Sequence, residues 1–150
     1  MGVALQEHSP PYPISFLKRI SKQLLMHLWQ QRWNTINTGR RTFKFIPHVS
    51  NHFYAYSAAI TAYLSGHGPY PSYLARFHIS ETDLCECGIQ GDPDHFCFSC
   101  PLTSTFHLSK PSDRHSHIWT KELISNPRVH NRLLSIFKYC SRTFSNWHDD

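Results

Sequence analysis

The chain has 150 residues, 40% of them hydrophobic and 14% aromatic, and a formal net charge of +5. That length suits one domain, and a charged fraction of only 17% beside Trp29, Trp33, Trp119, Trp147 and ten Phe excludes wholesale disorder. No stretch reaches the roughly 20 apolar residues of a membrane helix, residues 1–13 lack the basic start and apolar run of a secretion signal, and five cysteines do not make a secreted disulfide scaffold.

These exclusions lead us to expect an intracellular protein, nuclear or cytoplasmic, that is not secreted and has no membrane partner. Its charge is uneven. Residues 1–80 hold eight Lys or Arg against the lone Glu7, whereas residues 81–100 hold Glu81, Asp83, Glu86, Asp92 and Asp94 with no Lys or Arg. Residues 101–150 are basic again, with seven Lys or Arg against four carboxylates.

Residues 1–13 read as a flexible tail. From Ile14 to Trp33, Leu17, Ile20, Leu24, Leu25, Leu28 and Trp29 recur at helical spacing, which predicts one long amphipathic helix. Gly39 breaks it. Phe43 and Phe45 then alternate with Thr42 and Lys44, the pattern of a short strand stopped by Pro47, so residues 14–50 form one connecting segment.

Residues 51–106 form the next unit. Asn51 is placed to cap a helix running to Leu64, Gly66-His67-Gly68-Pro69 demands a turn, and a short helix is predicted from Pro71 to Phe77. The last unit, residues 107–150, reads as a loop and C-terminal amphipathic helices, with Ser109 to His117 polar and taken as the loop. Asn126 followed by Pro127 signals a helix start. Beyond it Val129, Leu133, Ile136, Phe137, Cys140 and Phe144 keep one face apolar, while Arg128, Arg132, Lys138 and Arg142 are available to the wet side. The expected fold is mainly α: a small irregular helical array with one zinc-stabilised knuckle and little β.

The segment that carries chemistry is Cys85-Glu-Cys87-Gly88, followed by His95 and Cys100, in the spacing C-x-C-x7-H-x4-C. Zinc takes four soft or borderline ligands in a tetrahedron, and a tight knuckle plus a following helical turn supplies two each. Gly88 stands where the backbone bends behind the second thiolate, a place where a side chain would be in the way. Asp92 and Pro93 look like a cap and first turn that present His95, in a short helix ended by Pro101. Three thiolates and an imidazole saturate the ion, so the expected cofactor is structural Zn2+ and not a catalytic metal. Cys97 offers an all-cysteine alternative through Cys97-x-x-Cys100; its position between Phe96 and Phe98 favours an apolar filler, and His95 is preferred.

At these residues the chain resembles a known family. Leu64-Ser-Gly-His-Gly-Pro-Tyr-Pro-Ser-Tyr-Leu-Ala-Arg-Phe77, then Cys85-Glu-Cys87-Gly88, then His95-Phe-Cys-Phe-Ser-Cys100-Pro101, is similar to the C-terminal region of non-LTR (LINE-type) retrotransposon polyproteins. Trp29-Gln-Gln-Arg-Trp33 and Gly39-Arg40-Arg41-Thr42-Phe43 resemble the segment that joins the ribonuclease H domain to that tail. The resemblance covers roughly residues 14–105, with Ser65 in place of the usual Thr and Cys97 in place of an aliphatic residue. It implies a parent polyprotein that is a reverse transcriptase, an RNA-directed DNA polymerase, with ribonuclease H.

The catalytic carboxylates of those domains are missing here. Asp149-Asp150 is the sole Asp-Asp pair and follows a helix, and Glu7 is the only acidic residue before position 81. The expectation is therefore a non-enzymatic tail fragment, either a relic or a product truncated at its start.

Its leading role would be sequence-independent binding of RNA or DNA. Arg40, Arg41, Lys44 and Arg76 would meet phosphate, and Phe43, Tyr70 and Tyr73 would stack on unpaired bases. A second reading is a purely structural tail that packs on other domains of the parent polyprotein, and a third is a non-functional relic. A cysteine-histidine enzyme built on Cys140 or on His115 and His117 has no partner residues to support it.

Overall fold

The computed structural model describes residues 12–51 and 56–144. The four-residue gap covers part of the helix predicted from Asn51, and Trp147 and Asp149-Asp150 also lie outside the described residues. Within them, regular structure is almost entirely helical, and the one strand-like pairing is an antiparallel bridge between Leu84 and Gln90.

Helix α1 (Ile14–Thr35) follows the apolar periodicity, yet none of its residues is buried. Its C-terminal end is docked. Gln30 donates to the Pro47 carbonyl and accepts from the Val49 amide, and the Trp33 indole donates to the Ile46 carbonyl. The rest of its apolar stripe faces outward, with Leu24 56% and Leu25 66% exposed.

Gly39, in the left-handed region at φ +67°, starts α2 (Arg40–Phe45). The predicted strand is thus a helix. In a strand Phe43 and Phe45 would share a face; the helical turn sends them apart, Phe43 against Trp33 (ring centroids 5.8 Å) and Phe45 between Tyr63 (5.6 Å) and Trp119 (6.3 Å). Two separate sets of aromatic partners therefore override the alternation.

Helix α3 (Ala58–Ser65) begins later than expected. Its cap is Ser57, whose Oγ accepts from the Ile60 amide and lies 2.8 Å from His130 Nε2, while the residues that Asn51 would cap lie outside the described residues. The bond to His130 ties the start of α3 to the last helix. Gly66, at φ +77°, ends α3 as a left-handed C-cap. At Gly68 the next turn comes so near α3 that an added Cβ would sit 2.7 Å from Ala62 Cβ. Helix α4 (Pro71–Arg76) follows with proline in its first turn, as predicted.

Helix α5 (Pro93–Phe98) is capped by Asp92, and a 3-10 turn (Pro101–Phe106) follows it. The polar stretch read as loop through His117 is partly helical: a 3-10 turn at Asp113–His115 leads into α6 (Ser116–Ser125). The buried residues of α6 are Ser116, Thr120 and Leu123, with Trp119 packed on the core beside them against Phe45, Tyr63 and Phe98. Thr120 Oγ donates back to the Ser116 carbonyl, so polar residues that satisfy themselves along the helix conceal the apolar period. Helix α7 (Pro127–Phe144) buries Leu133, Ile136, Phe137 and Cys140, as its sequence predicts, and Asn126 accepts from the Arg128 amide at its start. One hydrophobic core joins α2, α3, α6 and α7 to the Cys/His segment, with Tyr63, Tyr70, Phe96, Leu133 and Ile136 at its centre.

Candidate metal centre

Residues 84–90 form a tight hairpin. The Cys85 amide donates to the Ile89 carbonyl (2.7 Å) and the Gly88 amide to the Cys85 carbonyl (2.8 Å). Gly88 lies at φ +85° with open space around a built Cβ. The bend needs glycine for its left-handed backbone, and the expectation that a side chain would collide there is corrected. The second half of the clip comes from α5: Asp92 Oδ1 accepts from the His95 amide at 2.7 Å, and the Cys100 amide closes on the His95 carbonyl at 2.8 Å.

These two halves bring Cys85, Cys87, His95 and Cys100 together, with their ligand atoms all within 4.8 Å of one another. Cys85 Sγ and Cys100 Sγ are 3.7 Å apart, and Cys87 Sγ is 3.2 Å from His95 Nε2. A tetrahedral Zn2+ with S and N ligands has edges of about 3.8 and 3.6 Å, and the two separations are near these, so the four residues could hold a metal ion. His95 offers Nε2 to the centre while its Nδ1 lies 3.4 Å from Ser99 Oγ, the kind of outer contact that fixes a ligand's tautomer. The His107 ring donates to the Cys100 carbonyl at 2.9 Å and holds the fourth corner. Ser99 and His107 carried no signal in the sequence beyond the i+4 spacing of Ser99 from His95.

Burial pushes the Cys85 thiol up to about 12 and holds His95 below its ordinary value, whereas the Ile89 amide aimed at Cys87 lowers that thiol. A buried Cys85 is a thiolate at neutral pH only beside a positive charge. Cys97 lies outside the group. It is wholly buried in the hydrophobic core, and burial raises its thiol as well.

Asp94, next to His95 in sequence, points away from the centre. It accepts from Arg41 Nη2 (2.8 Å), Arg41 Nη1 (3.2 Å) and Tyr63 OH (3.0 Å). Burial opposes its ionisation, but the Arg41 guanidinium holds it below the ordinary carboxylate value. Arg41 is anchored further by the Tyr63 carbonyl at 2.9 Å. This three-residue network fastens α2 and α3 to α5, a pairing of Arg41 that sequence reading did not anticipate.

The other basic residues singled out in the sequence differ in their partners. Lys44 is paired with Asp113. Arg40 stacks on Phe43 at 4.2 Å and donates to the Trp33 and Asn34 carbonyls. Arg76 is exposed over Phe77, with no carboxylate partner among the described residues. Of the aromatic residues expected to stack on bases, Tyr70 is corrected: it is completely buried against Phe96. Tyr73 is half-buried between His67 and Phe77, and Phe43 is half-buried beneath Arg40. His115 and His117 are exposed.

No family model and no solved structure matches the chain. Three curated proteins are similar to it. The Retrovirus-related Pol polyprotein from type-1 retrotransposable element R1 of Bradysia coprophila is 33% identical over 93 residues, 59% of this chain and 9% of that polyprotein. A 115 kDa protein in type-1 retrotransposable element R1DM of Drosophila melanogaster is 32% identical over 54% of this chain and 8% of its own length. The Retrovirus-related Pol polyprotein from type-1 retrotransposable element R1 2 of Nasonia vitripennis is 26% identical over 71% of this chain and 27% of its own length. The chain thus spans less than a third of each of these relatives, and is related by sequence to a short stretch of R1-type non-LTR retrotransposon polyproteins.

Proposed function

We propose that this chain is a zinc-stabilised, nucleic-acid-binding accessory module of a retrotransposon polyprotein, with no catalytic centre of its own. The observation that carries the reading is the convergence of three thiols and one imidazole within 4.8 Å. Four such ligands leave a zinc ion no open position, so its role is to hold the hairpin to α5 and not to activate water. Nucleic acid is the partner because the flanks of this acidic clip are basic. Arg40 and Arg76 lead the contact, since Arg41 and Lys44 would have to exchange a carboxylate for a phosphate.

The test is made on the purified full chain. Elemental analysis should give one zinc per molecule, and fluorescence polarisation should show RNA or DNA oligonucleotides bound with an affinity that falls steeply with salt. Arg40→Gln with Arg76→Gln should flatten the salt slope by about 0.7 to 0.9 per lost phosphate contact. Absence of stoichiometric metal would remove the zinc part of the reading. Absence of binding at low salt would remove the nucleic-acid part.

A second reading, a structural tail that packs on other parts of a polyprotein, is favoured by α1, whose apolar stripe has nothing over it among the described residues. Self-association in sedimentation without nucleic-acid binding is its signature.

A further inference from the structure

Helix α7 divides sharply into two faces. Its inner face is core, while Arg128, Arg132, Lys138 and Arg142 are all exposed, and its 18 residues include no Asp or Glu. At a rise of about 1.5 Å per residue these cations form a ridge roughly 20 Å long. Arg132 is oriented by its bond to the His107 carbonyl (3.1 Å). Lys138 and Arg142, one turn apart, have no ion-pair partner among the described residues.

The ridge does not stand on a flat surface. Beside it runs a groove of about 420 Å³ lined by Phe106 from the 3-10 turn and by Ser135, Lys138, Tyr139, Arg142 and Thr143 from α7. Phe106 and Tyr139 are half-buried, so ring surface remains open at the groove. Tyr139 is braced by Phe96 and Phe144 (both 6.3 Å) and its hydroxyl reaches Glu86 at 3.5 Å. Glu86 is a carboxylate at this edge, and its contact with Tyr139 holds the ring without pairing either cation.

Two cations a helical turn apart beside half-buried rings match what an unpaired nucleic-acid strand presents, a phosphate backbone with free base faces. A duplex offers the phosphates but keeps its bases stacked. We infer that the α7 groove is a single-strand-binding surface, separate from the α2 residues, in which Lys138 and Arg142 take successive phosphates and Phe106 and Tyr139 receive bases. This inference rests on the reading that the chain binds nucleic acid and adds, to the contact made through Arg40 and Arg76, a second surface on α7.

The experiment is fluorescence polarisation with a labelled 20-nucleotide RNA, the same sequence as DNA, and its duplex, each titrated over a range of KCl. Two variants of the full chain are compared with wild type, Lys138→Ala with Arg142→Ala, and Phe106→Leu, both checked for unchanged helicity by circular dichroism. The double variant should lose about 1.4 from the single-strand salt slope, two contacts at roughly 0.7 each. Phe106→Leu should weaken single-strand binding about tenfold while leaving duplex binding and the slope unchanged. Stronger binding of RNA or of DNA identifies the natural strand, and either supports the groove. If wild type binds single strands and the double variant binds equally with an unchanged slope, the groove is overturned and the nucleic-acid reading survives. If wild type binds no oligonucleotide at all, both fall.

Discussion

Arg41 and Asp94 meet across 53 residues of chain in a two-pronged ion pair, Nη2 to Oδ1 at 2.8 Å and Nη1 to Oδ2 at 3.2 Å. The pair joins a residue of the basic half to one of the acidic clip, and it sits immediately before the histidine that faces the three thiols. Its side chains are 26% and 33% exposed, between the surface pairs that contribute little and the buried ones that cannot lose a partner cheaply.

Asp94→Asn should therefore destabilise the chain by about 1–2 kcal/mol, read from urea unfolding of the zinc-loaded protein. Tyr63→Phe should cost about 1 kcal/mol, the value of one hydrogen bond. A double-mutant cycle of Arg41→Ala and Asp94→Ala should return a coupling of about 1 kcal/mol. Additive effects would mean that the contact contributes nothing to stability.

Metal removal should be a folding event. Chelation should unfold residues 81–101 and lower the helical signal, because a site of this kind couples binding to folding by on the order of 10 kcal/mol. Cys100→Ser and His95→Ala should each lose the tightly held ion, whereas Cys97→Ser should keep it while lowering thermal stability through a polar group in the core. Release of zinc by Cys97→Ser, with retention by His95→Ala, would reverse the ligand assignment.

Two glycines separate backbone strain from crowding. Gly88→Ala forces an L residue to φ +85° in open space and should cost about 1 kcal/mol, with Gly88→Asn milder because asparagine tolerates that region. Gly91→Ala would put a Cβ 2.7 Å from Pro71 Cγ and should cost about 1–3 kcal/mol as overpacking. Thermal melts of the two variants check the order.

Tryptic cleavage should divide α1. Lys18, Arg19 and Lys22 lie on the part that packs against nothing described, whereas Gln30 and Trp33 pin the other end to residues 46–49. A helical half without packing is marginally stable, so early cuts should fall at residues 18–22 and later ones at Arg32, Arg40 and Arg41. Equal rates at both ends would mean that the free half is covered in solution.

Much of the molecule is legible from sequence because its signals are local. The C-x-C knuckle with Gly88, the Asp92-Pro93 and Asn126-Pro127 helix starts, the α1 periodicity and the apolar face of α7 each depend on dihedral preferences and side-chain spacing within a few residues. Those constraints hold whatever the rest of the chain does. Tertiary structure decided the remainder. It made residues 40–45 a helix because Phe43 and Phe45 have partners on opposite sides, and hid α6 behind Ser116 and Thr120, which satisfy themselves along the helix axis. It also removed Tyr70 from the surface and paired Arg41 with Asp94. A side chain's partner at a separation of 53 residues depends on how the helices pack, and no local pattern of charge or hydrophobicity encodes that.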